Sequence, residues 1–271
     1  GSLSAQSVFS HILEFLKNGA ETPLKSGAAI IAVILIAAAF SSAEIKSGAV
    51  QAAVYAAVTS AAAIIAAPVY SSVKAGVDAM KGLSVFMLGF IPVFAVIVAA
   101  SGGAVTSASM STLLLTAAQG VSYISSFAVL PLMGGYLAVS IGSSVSPLMQ
   151  RSGIAETARF IIGSSVPVAG GVLSEALGTV LSSVTLLKSS IGIYGAVACA
   201  AILLPLITEL LIWRAVLIIT AGAAGLFSLP QISGLLKAVD SMMSVLLGII
   251  LTVGAVFIIS LAVVVSAGRA R

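Results

Sequence analysis

The sequence predicts an all-α, polytopic integral membrane protein, a helical bundle of about seven transmembrane helices with re-entrant or broken helices and amphipathic interfacial helices. The first observation is a stretch of 69 residues, from Gly82 to Gln150, that contains no charged side chain. A bilayer core about 30 Å thick is crossed by roughly 20 apolar residues in a helix, so this stretch holds two or three crossings. The second observation is the composition, with 60% hydrophobic and 7% charged residues, which leaves no polar stretch long enough for a soluble domain.

The third observation is the position of the charged residues, which separate apolar runs of near-spanning length. The uncharged runs contain 18 residues after Lys25, 27 after Lys46, 20 after Lys188, 22 after Arg214 and 28 after Asp240. Each length is close to or above the number of residues that a helix needs to cross the bilayer. The net charge of +4 therefore indicates residues that flank membrane helices, and the lipid bilayer is the first partner that the sequence predicts.

The predicted organisation is a single membrane domain that covers residues 1–271. It consists of an amphipathic helix at 4–17, a first group of spans at 26–150, a re-entrant or interfacial segment at 151–188 and a second group of spans at 189–268. Small residues let helix backbones approach one another closely in lipid. The many glycines and alanines therefore agree with a tightly packed bundle that forms a homo-oligomer.

The first group begins after the amphipathic helix, whose apolar stripe faces the interface or the rest of the bundle. Spans at 26–40 and 49–69 are joined by so short a connector that they form an antiparallel hairpin. The second of these spans is rich in alanine, and we expect it to be buried in the bundle or at an oligomer contact. Three charged residues, Lys74, Asp78 and Lys81, indicate a polar connection to a third span at 83–100.

The middle of the chain is less regular. Glycine and proline interrupt an apolar segment at 113–139, and the apolar pieces on either side of Glu175 are too short to cross the bilayer alone. Irregular backbone at membrane depth needs hydrogen-bond partners from protein or from a water-filled cavity. Residues 151–188 are therefore predicted to form either a re-entrant hairpin or a pair of helices along the membrane surface.

The second group contains apolar segments at 189–213 and 215–226, an amphipathic helix that begins at Pro230, and a last span at 245–266. In the amphipathic helix, Lys237 lies opposite the apolar stripe and Asp240 lies on its flank. The stripe consists of Ile232, Leu235, Leu236, Val239, Met242 and Met243. Trp213, next to Arg214, is typical of an aromatic belt at the membrane interface.

The sequence carries no enzyme signature. Its one histidine is His11, which excludes a zinc site built on several histidines and leaves a catalytic triad without a nucleophile motif nearby. No phosphate-binding loop stands between a strand and a helix, and no basic cluster indicates binding to nucleic acid. We therefore predict that the protein is not an enzyme and has no catalytic residues, no cofactor and no metal site.

Ionisable residues inside membrane segments are the candidate functional residues, because a lone charge in the bilayer is costly. Glu209 and Arg214 lie five residues apart in sequence, about 140° apart around a helix, so they do not face one another well. They are either intramembrane charges with a function or a pair that marks the membrane boundary at a helix end. Glu175 is the candidate for lining a polar cavity.

Clusters of hydroxyl-bearing residues are a second set of candidates for a polar path. They lie at 101–112, 140–146, 163–165 and 182–183. Serine and threonine hydroxyls in lipid also bond to the preceding turn of their own helix. Both interpretations remain open from the sequence.

Several stretches share their order of hydrophobic residues, glycine and proline with a known family. They are 187–195 with the run into 204–207, the C-terminal pair 244–248 and 257–260, and 80–92, 101–102 and 129–132 in the first half. Together they make the chain similar to the stage III sporulation protein AE family of endospore-forming bacteria. The resemblance covers about residues 74 to 271.

The resemblance implies a role in endospore formation, in the mother-cell membrane that faces the forespore. Such a protein belongs to a membrane complex that, with forespore partners, forms a channel or secretion-like conduit between the two cells and sustains late gene expression in the forespore. By this resemblance, the chain is a structural or channel-forming multi-pass subunit that contacts other membrane proteins of the sporulation complex.

The alternative is a stand-alone secondary transporter with duplicated halves and a substrate site at the membrane midplane. Gly82 is followed ten residues later by Pro92, and Gly195 is followed ten residues later by Pro205. Each proline lies inside a predicted span. Many transporters are built from repeats of this kind.

Overall fold

The structure, a computed structural model, is built of long α-helices. It describes residues 5–42, 47–100, 112, 115–116, 118–123, 129–145 and 190–267. The helices with defined bounds are α1 (Ala5–Ser42), α2 (Ser47–Ala100), α3 (Leu130–Val145), α4 (Ser190–Leu226) and α5 (Pro230–Ala267). No strand occurs among the described residues, which confirms the predicted all-α fold.

Four segments in the described part of the chain are long and apolar enough to cross a membrane. They are Gly19–Ser42, Val50–Val93, Val197–Leu226 and Pro230–Ala262. The number of about seven crossings stays a prediction. The re-entrant or interfacial segment predicted at 151–188 and the side chains of the amphipathic helix at 4–17 lie outside what the structure describes.

The polar connection predicted at Lys74, Asp78 and Lys81 is wrong, because α2 is helical from Ser47 to Ala100. The three charges are spaced four and three residues apart, which places them on one face of the helix. Lys74 and Asp78 are exposed. The neighbouring face carries a buried stripe that includes Val73, Val77, Met80 and Leu83. The charges therefore avoid the core without interrupting the helix.

Other predicted boundaries also lie inside continuous helices. α4 passes through Arg214, where the sequence suggests a division into two segments. α5 combines the amphipathic helix and the last span, and α1 combines the helix at 4–17 with the first span. In α1, Lys25 Nζ lies 2.6 Å from Glu21 Oε1, so these charges pair one turn apart on the helix surface and the helix continues past them.

The chain divides into two compact units. Unit 1 comprises Gly1–Val73, Leu132–Val166 and Ile207–Val245, and unit 2 comprises Lys74–Pro131, Pro167–Leu206 and Leu246–Arg271. The single-domain organisation that the sequence indicates stays a prediction. Each unit has its own apolar core.

The core of unit 1 contains fully buried side chains from several helices. Ile30 of α1, Ile65 of α2 and Leu217 of α4 are each 0% exposed. The amphipathic stripe predicted at the start of α5 is confirmed, because all six of its residues are also 0% exposed. Lys237 is exposed on the other side of α5. Burial of this stripe supplies much of the apolar stabilisation of the unit.

The alanine-rich part of α2 is buried on one side only. Ala57, Ala61 and Ala62 lie in the core of unit 1. The other face is exposed within the chain and carries small residues at 52, 56, 63 and 67. The helix that the sequence predicts to be buried in the bundle or at an oligomer contact thus has one exposed face lined by small residues.

In unit 2, α4 and α5 pack antiparallel through glycines that receive leucine side chains. A Cβ atom at Gly195 of α4 would lie 2.6 Å from Leu261 Cδ1 of α5. In the opposite direction, a Cβ at Gly254 of α5 would lie 2.6 Å from Leu203 Cδ1 of α4. Real Cβ atoms do not approach that closely, so a larger residue at either position would require the facing leucine side chain to move.

The turn between α4 and α5 is a Schellman motif. The N–H of Leu229 donates to the Ala224 carbonyl at 3.0 Å, and the N–H of Ser228 donates to the Gly225 carbonyl at 3.1 Å. Ser228 adopts the left-handed conformation with φ 57°, which the motif requires at this position and which glycine usually supplies. Pro230, with its fixed φ, then starts α5.

Candidate functional site

A hydrogen bond joins the central parts of two candidate spans in unit 1. Ser72 Oγ of α2 donates to Glu209 Oε1 of α4 at 2.6 Å, a distance typical of a hydroxyl bound to a carboxylate. Ser72 is 2% exposed and Glu209 is half-buried. Ser72 lies near the middle of the span Val50–Val93, and Glu209 lies well inside the span Val197–Leu226.

A third helix, α1, packs against the same carboxylate-bearing residue. Gly19 lies opposite Glu209, where an added Cβ would be 3.9 Å from Glu209 Cβ. Pro23, four residues after Gly19, lies inside α1 and has no N–H to donate to the Gly19 carbonyl. Glu209 thus lies between the Ser72 hydroxyl of α2 and the part of α1 where the Gly19 carbonyl lacks its usual helical hydrogen bond.

An ion pair joins α4 to α5 in the same unit. Arg214 Nε lies 3.0 Å from Asp240 Oδ1, and the two side chains are 29% and 20% exposed. A largely buried charge is tolerated when an opposite charge and hydrogen bonds compensate it. Asp240 therefore explains how Arg214 is accommodated inside a continuous helix.

The charges predicted from sequence have different partners. Glu209 contacts Ser72, whereas Arg214 contacts Asp240, in keeping with the angle of about 140° between them on the helix. The pair does not mark a helix end, because α4 continues to Leu226; the interpretation of the pair as a mark of the membrane boundary stays a prediction. Glu175, the third candidate, lies outside the described residues.

Trp213 does not belong to an interfacial belt, contrary to the sequence-based prediction. Its side chain is 0% exposed within the chain. Its indole Nε1 is a buried donor without a hydrogen-bond partner among the described residues. In sequence it lies one helical turn after Glu209, on the side of α4 that packs into unit 1. The bulky indole thus fills the core next to the polar contacts.

Most hydrogen bonds donated by the described hydroxyls end on a carbonyl of the same helix, which agrees with the local interpretation for those residues. In α3, the hydroxyls of Ser143 and Ser144 donate to the Ser140 carbonyl at 3.1 and 2.8 Å. Thr220 Oγ1 donates to the Val216 carbonyl at 2.8 Å. Ser72 differs because, in addition to the Pro68 carbonyl at 3.2 Å, it reaches a side chain on another helix.

Ser72 and Asp240 are the site residues that sequence reasoning did not select. Ser72 is one of many serines in the apolar regions, and its partner is 137 residues away. Asp240 is visible as a flanking charge of an amphipathic helix that begins shortly after Arg214 in the sequence. Two opposite charges, 12 residues before Leu226 and 10 residues after Pro230, were the available signal.

The chemistry of these contacts is that of helix-to-helix attachment through two carboxylates, those of Glu209 and Asp240. Within the described ranges, no three histidine, cysteine or acidic side chains come together as metal ligands. Cys199 is buried and has a free thiol. The expectation that the protein has no catalytic residue and no metal site stays a prediction.

Comparison with known protein families identifies the family of this chain. The family model for stage III sporulation protein AE matches residues 1–156 and 152–268. The chain belongs to the stage III sporulation protein AE family. Family membership suggests a role in sporulation and, with the four long apolar helices, a membrane protein. No curated protein and no solved structure matches the chain.

The family match confirms the resemblance inferred from the order of apolar segments. The match also covers residues 1–73, which the resemblance seen in the sequence did not include. The Ser72–Glu209 and Arg214–Asp240 contacts are therefore features of a stage III sporulation protein AE chain.

Proposed function

We propose that this protein is a structural or channel-forming subunit of the membrane complex that connects the mother cell with the forespore. The observation that carries the proposal is the family match over nearly the whole chain. In this role the protein lies in the mother-cell membrane, contacts other membrane proteins of the sporulation complex, and needs neither a cofactor nor enzymatic activity.

The described contacts are consistent with a structural role. Two polar contacts in the candidate spans join different helices, since Ser72 attaches α2 to α4 and Arg214 attaches α4 to α5. Interhelical hydrogen bonds and close packing are the main sources of helix association in lipid. A subunit that keeps a fixed shape against its partners requires such attachments.

The exposed small-residue face of α2 supports assembly into a homo-oligomer. Alanines at 52, 56, 63 and 67 are exposed within one chain, and their spacing of four and seven residues places them on one side of the helix. A face of this kind allows a second helix to approach closely. We propose that copies of the protein meet along it.

The experiment is the mass of the purified protein in nanodiscs, with the lipid contribution subtracted. A multiple of the 26.9 kDa chain well above a dimer is expected. Ala56→Leu with Ala63→Leu should reduce that mass, whereas Ala32→Leu on the exposed side of α1 is the matched control and should not. A monomer of the unmodified protein, or equal effects of both changes, would contradict assembly through this face.

A sporulation assay tests the role itself. Genes that encode the same variants replace the native gene in an endospore-forming bacterium. Heat-resistant spores are then counted, and the activity of a late forespore reporter is measured. We expect loss of both with the α2 variant at normal protein level. Normal sporulation after complete deletion of the gene would refute the proposed role.

Glu209 favours a second candidate function, a stand-alone secondary transporter. A carboxylate inside a span is a common site for coupling ions or substrate, and Glu209 lies against a hydroxyl on another span. A transporter should show saturable, ion-coupled uptake in proteoliposomes that Glu209→Gln abolishes. Passive, size-limited flux, or no flux without partner proteins, supports the conduit subunit instead.

A further inference from the structure

The hairpin formed by α4 and α5 in unit 1 ends in an apolar tip. Leu226 is 87% exposed and Phe227 is 43% exposed, although both are large apolar side chains. No charged residue occurs in the 22 positions between Arg214 and Lys237. A connection that lies in water normally carries polar and charged residues, and this one carries almost none.

The N–H groups of the turn itself are bonded within the protein. The N–H groups of Phe227, Ser228 and Leu229 each donate to a carbonyl of the last turn of α4, at 3.2, 3.1 and 3.0 Å. The next residue is Pro230, which has no N–H. In the hydrocarbon of a bilayer every backbone donor needs a partner within the protein. At the four positions from Phe227 to Pro230, no N–H is left unbonded.

The charged residues of unit 1 provide a measure of depth. Gly19 of α1 lies against Glu209, and Gly27 lies against Val216, so the Glu21–Lys25 pair is level with Arg214 and Asp240. The side chains of Glu21 and Lys25 are 63% and 75% exposed, and Lys237 is also exposed. Charges with this exposure belong in water or among lipid headgroups.

From this charged level to the tip, α4 extends about 18 Å, at ~1.5 Å per residue. That distance is a little more than half of a hydrocarbon core about 30 Å thick. A hairpin that enters from the charged level is therefore too short to reach the opposite surface. Its tip ends inside the bilayer, with Leu226 and Phe227 in contact with acyl chains.

We propose that the α4–α5 turn is a lipid-immersed, re-entrant tip whose partner is the hydrocarbon of the bilayer. This inference concerns the placement of unit 1 in the membrane and does not depend on the proposed role in sporulation. The binding surface consists of Leu226 and Phe227, continued along α4 by the exposed side chains of Ile218 and Ile219.

The first test uses thiol labelling in nanodiscs, where both membrane surfaces are open to reagent. Cys199 is the one cysteine of the chain, so Cys199→Ala provides the background. Leu226→Cys probes the tip, and Lys237→Cys on the same hairpin is the matched control at the charged level. The rate of labelling by a charged maleimide is measured for each variant in nanodiscs. It is divided by the labelling rate of the same variant unfolded in detergent, which corrects for differences in intrinsic reactivity.

Leu226→Cys should react at least about tenfold more slowly than Lys237→Cys, because the reactive thiolate is disfavoured in apolar surroundings and a charged reagent does not enter them. Exposure within the chain alone would predict fast labelling at position 226, since Leu226 is the most exposed large apolar residue among the described residues. Equal rates would place the tip in water and overturn the proposal. Failure of Lys237→Cys to react would overturn the depth assignment.

A second measurement separates lipid from a covering protein, which would also slow the labelling. Phe227→Trp is reconstituted with lipids that carry bromine near the middle of the acyl chain. Trp213, which is 0% exposed, gives the background emission of the unmodified protein. Strong quenching of the added emission supports the proposal. Absence of quenching, or quenching by aqueous iodide instead, contradicts it.

Discussion

Ser72 Oγ lies 2.6 Å from Glu209 Oε1, and this bond connects helices whose residues are 137 positions apart in sequence. It places a carboxylate and its donor inside candidate spans rather than at a helix end. Bonds of this kind contribute, together with close packing, to the association of membrane helices, because lipid is as apolar as the helix surfaces. The bond therefore makes a testable contribution to stability.

Ser72→Ala should lower the free energy of unfolding by about 1–3 kcal/mol, since it leaves the half-buried Glu209 carboxylate without this donor. Unfolding in mixed micelles, followed by circular dichroism, measures the change. Ser84→Ala is the matched control, because Ser84 is 1% exposed and bonds to the Met80 carbonyl of its own helix. Equal losses in the two variants would show that the bond between helices is unimportant.

Arg214→Met should destabilise the protein by about 3 kcal/mol, because it leaves the largely buried Asp240 carboxylate unpaired. Adding Asp240→Leu to that variant should recover most of the loss, since removal of both charges is far less costly than removal of one. A double-mutant cycle in the same unfolding assay gives the coupling between the two residues. Additive effects would mean that the 3.0 Å contact contributes no coupling.

Ser228→Gly should stabilise the protein by about 1 kcal/mol, because Ser228 has φ 57° and glycine adopts this conformation without the steric cost that a Cβ atom brings. The change should slow unfolding of the α4–α5 turn in hydrogen exchange. Ser228→Ala retains the Cβ and is the control. A stabilisation of similar size in Ser228→Ala would assign the effect to the hydroxyl instead.

Gly27→Ala should destabilise unit 1 by about 1–3 kcal/mol, because the new Cβ would lie 2.5 Å from Val216 Cγ1 and the branched valine side chain is stiff. Gly222→Ala has open space around its Cβ and should be neutral or slightly stabilising in its helix. Adding Val216→Ala to Gly27→Ala should restore part of the stability. No rescue would indicate that another contact limits the approach of α1 and α4.

The fold class and the inner face of α5 were predictable because they depend on local pattern. Apolar residues repeat at helical spacing from Ile232 to Met243, with Lys237 on the opposite side, and burial follows that pattern. The bounds of the helices were not predictable from charge alone. Lys74, Asp78 and Lys81 were interpreted as a connection, although their spacing of four and three residues already matched one helix face.

The partners in the candidate site were not predictable for a different reason. Glu209 and Arg214 were recognised as unusual, but a periodic pattern on one helix carries no information about which distant residue supplies the compensating group. In the sequence, Ser72 does not differ from other hydroxyl residues in apolar runs, and only the packing of α2 against α4 identifies its partner. Trp213 was assigned to the interface from its neighbour Arg214, whereas packing places its indole in the core.

The reciprocal glycine contacts of α4 and α5 have an evolutionary consequence. Leu261 occupies the space above Gly195, and Leu203 occupies the space above Gly254, so each glycine and its leucine are constrained together. Among homologous chains, a larger residue at position 195 should be accompanied by a smaller one at 261, and the same exchange should link 254 with 203. Since the pairs lie in opposite directions across the two helices, a one-turn slip would break both, and the four positions should vary as a group.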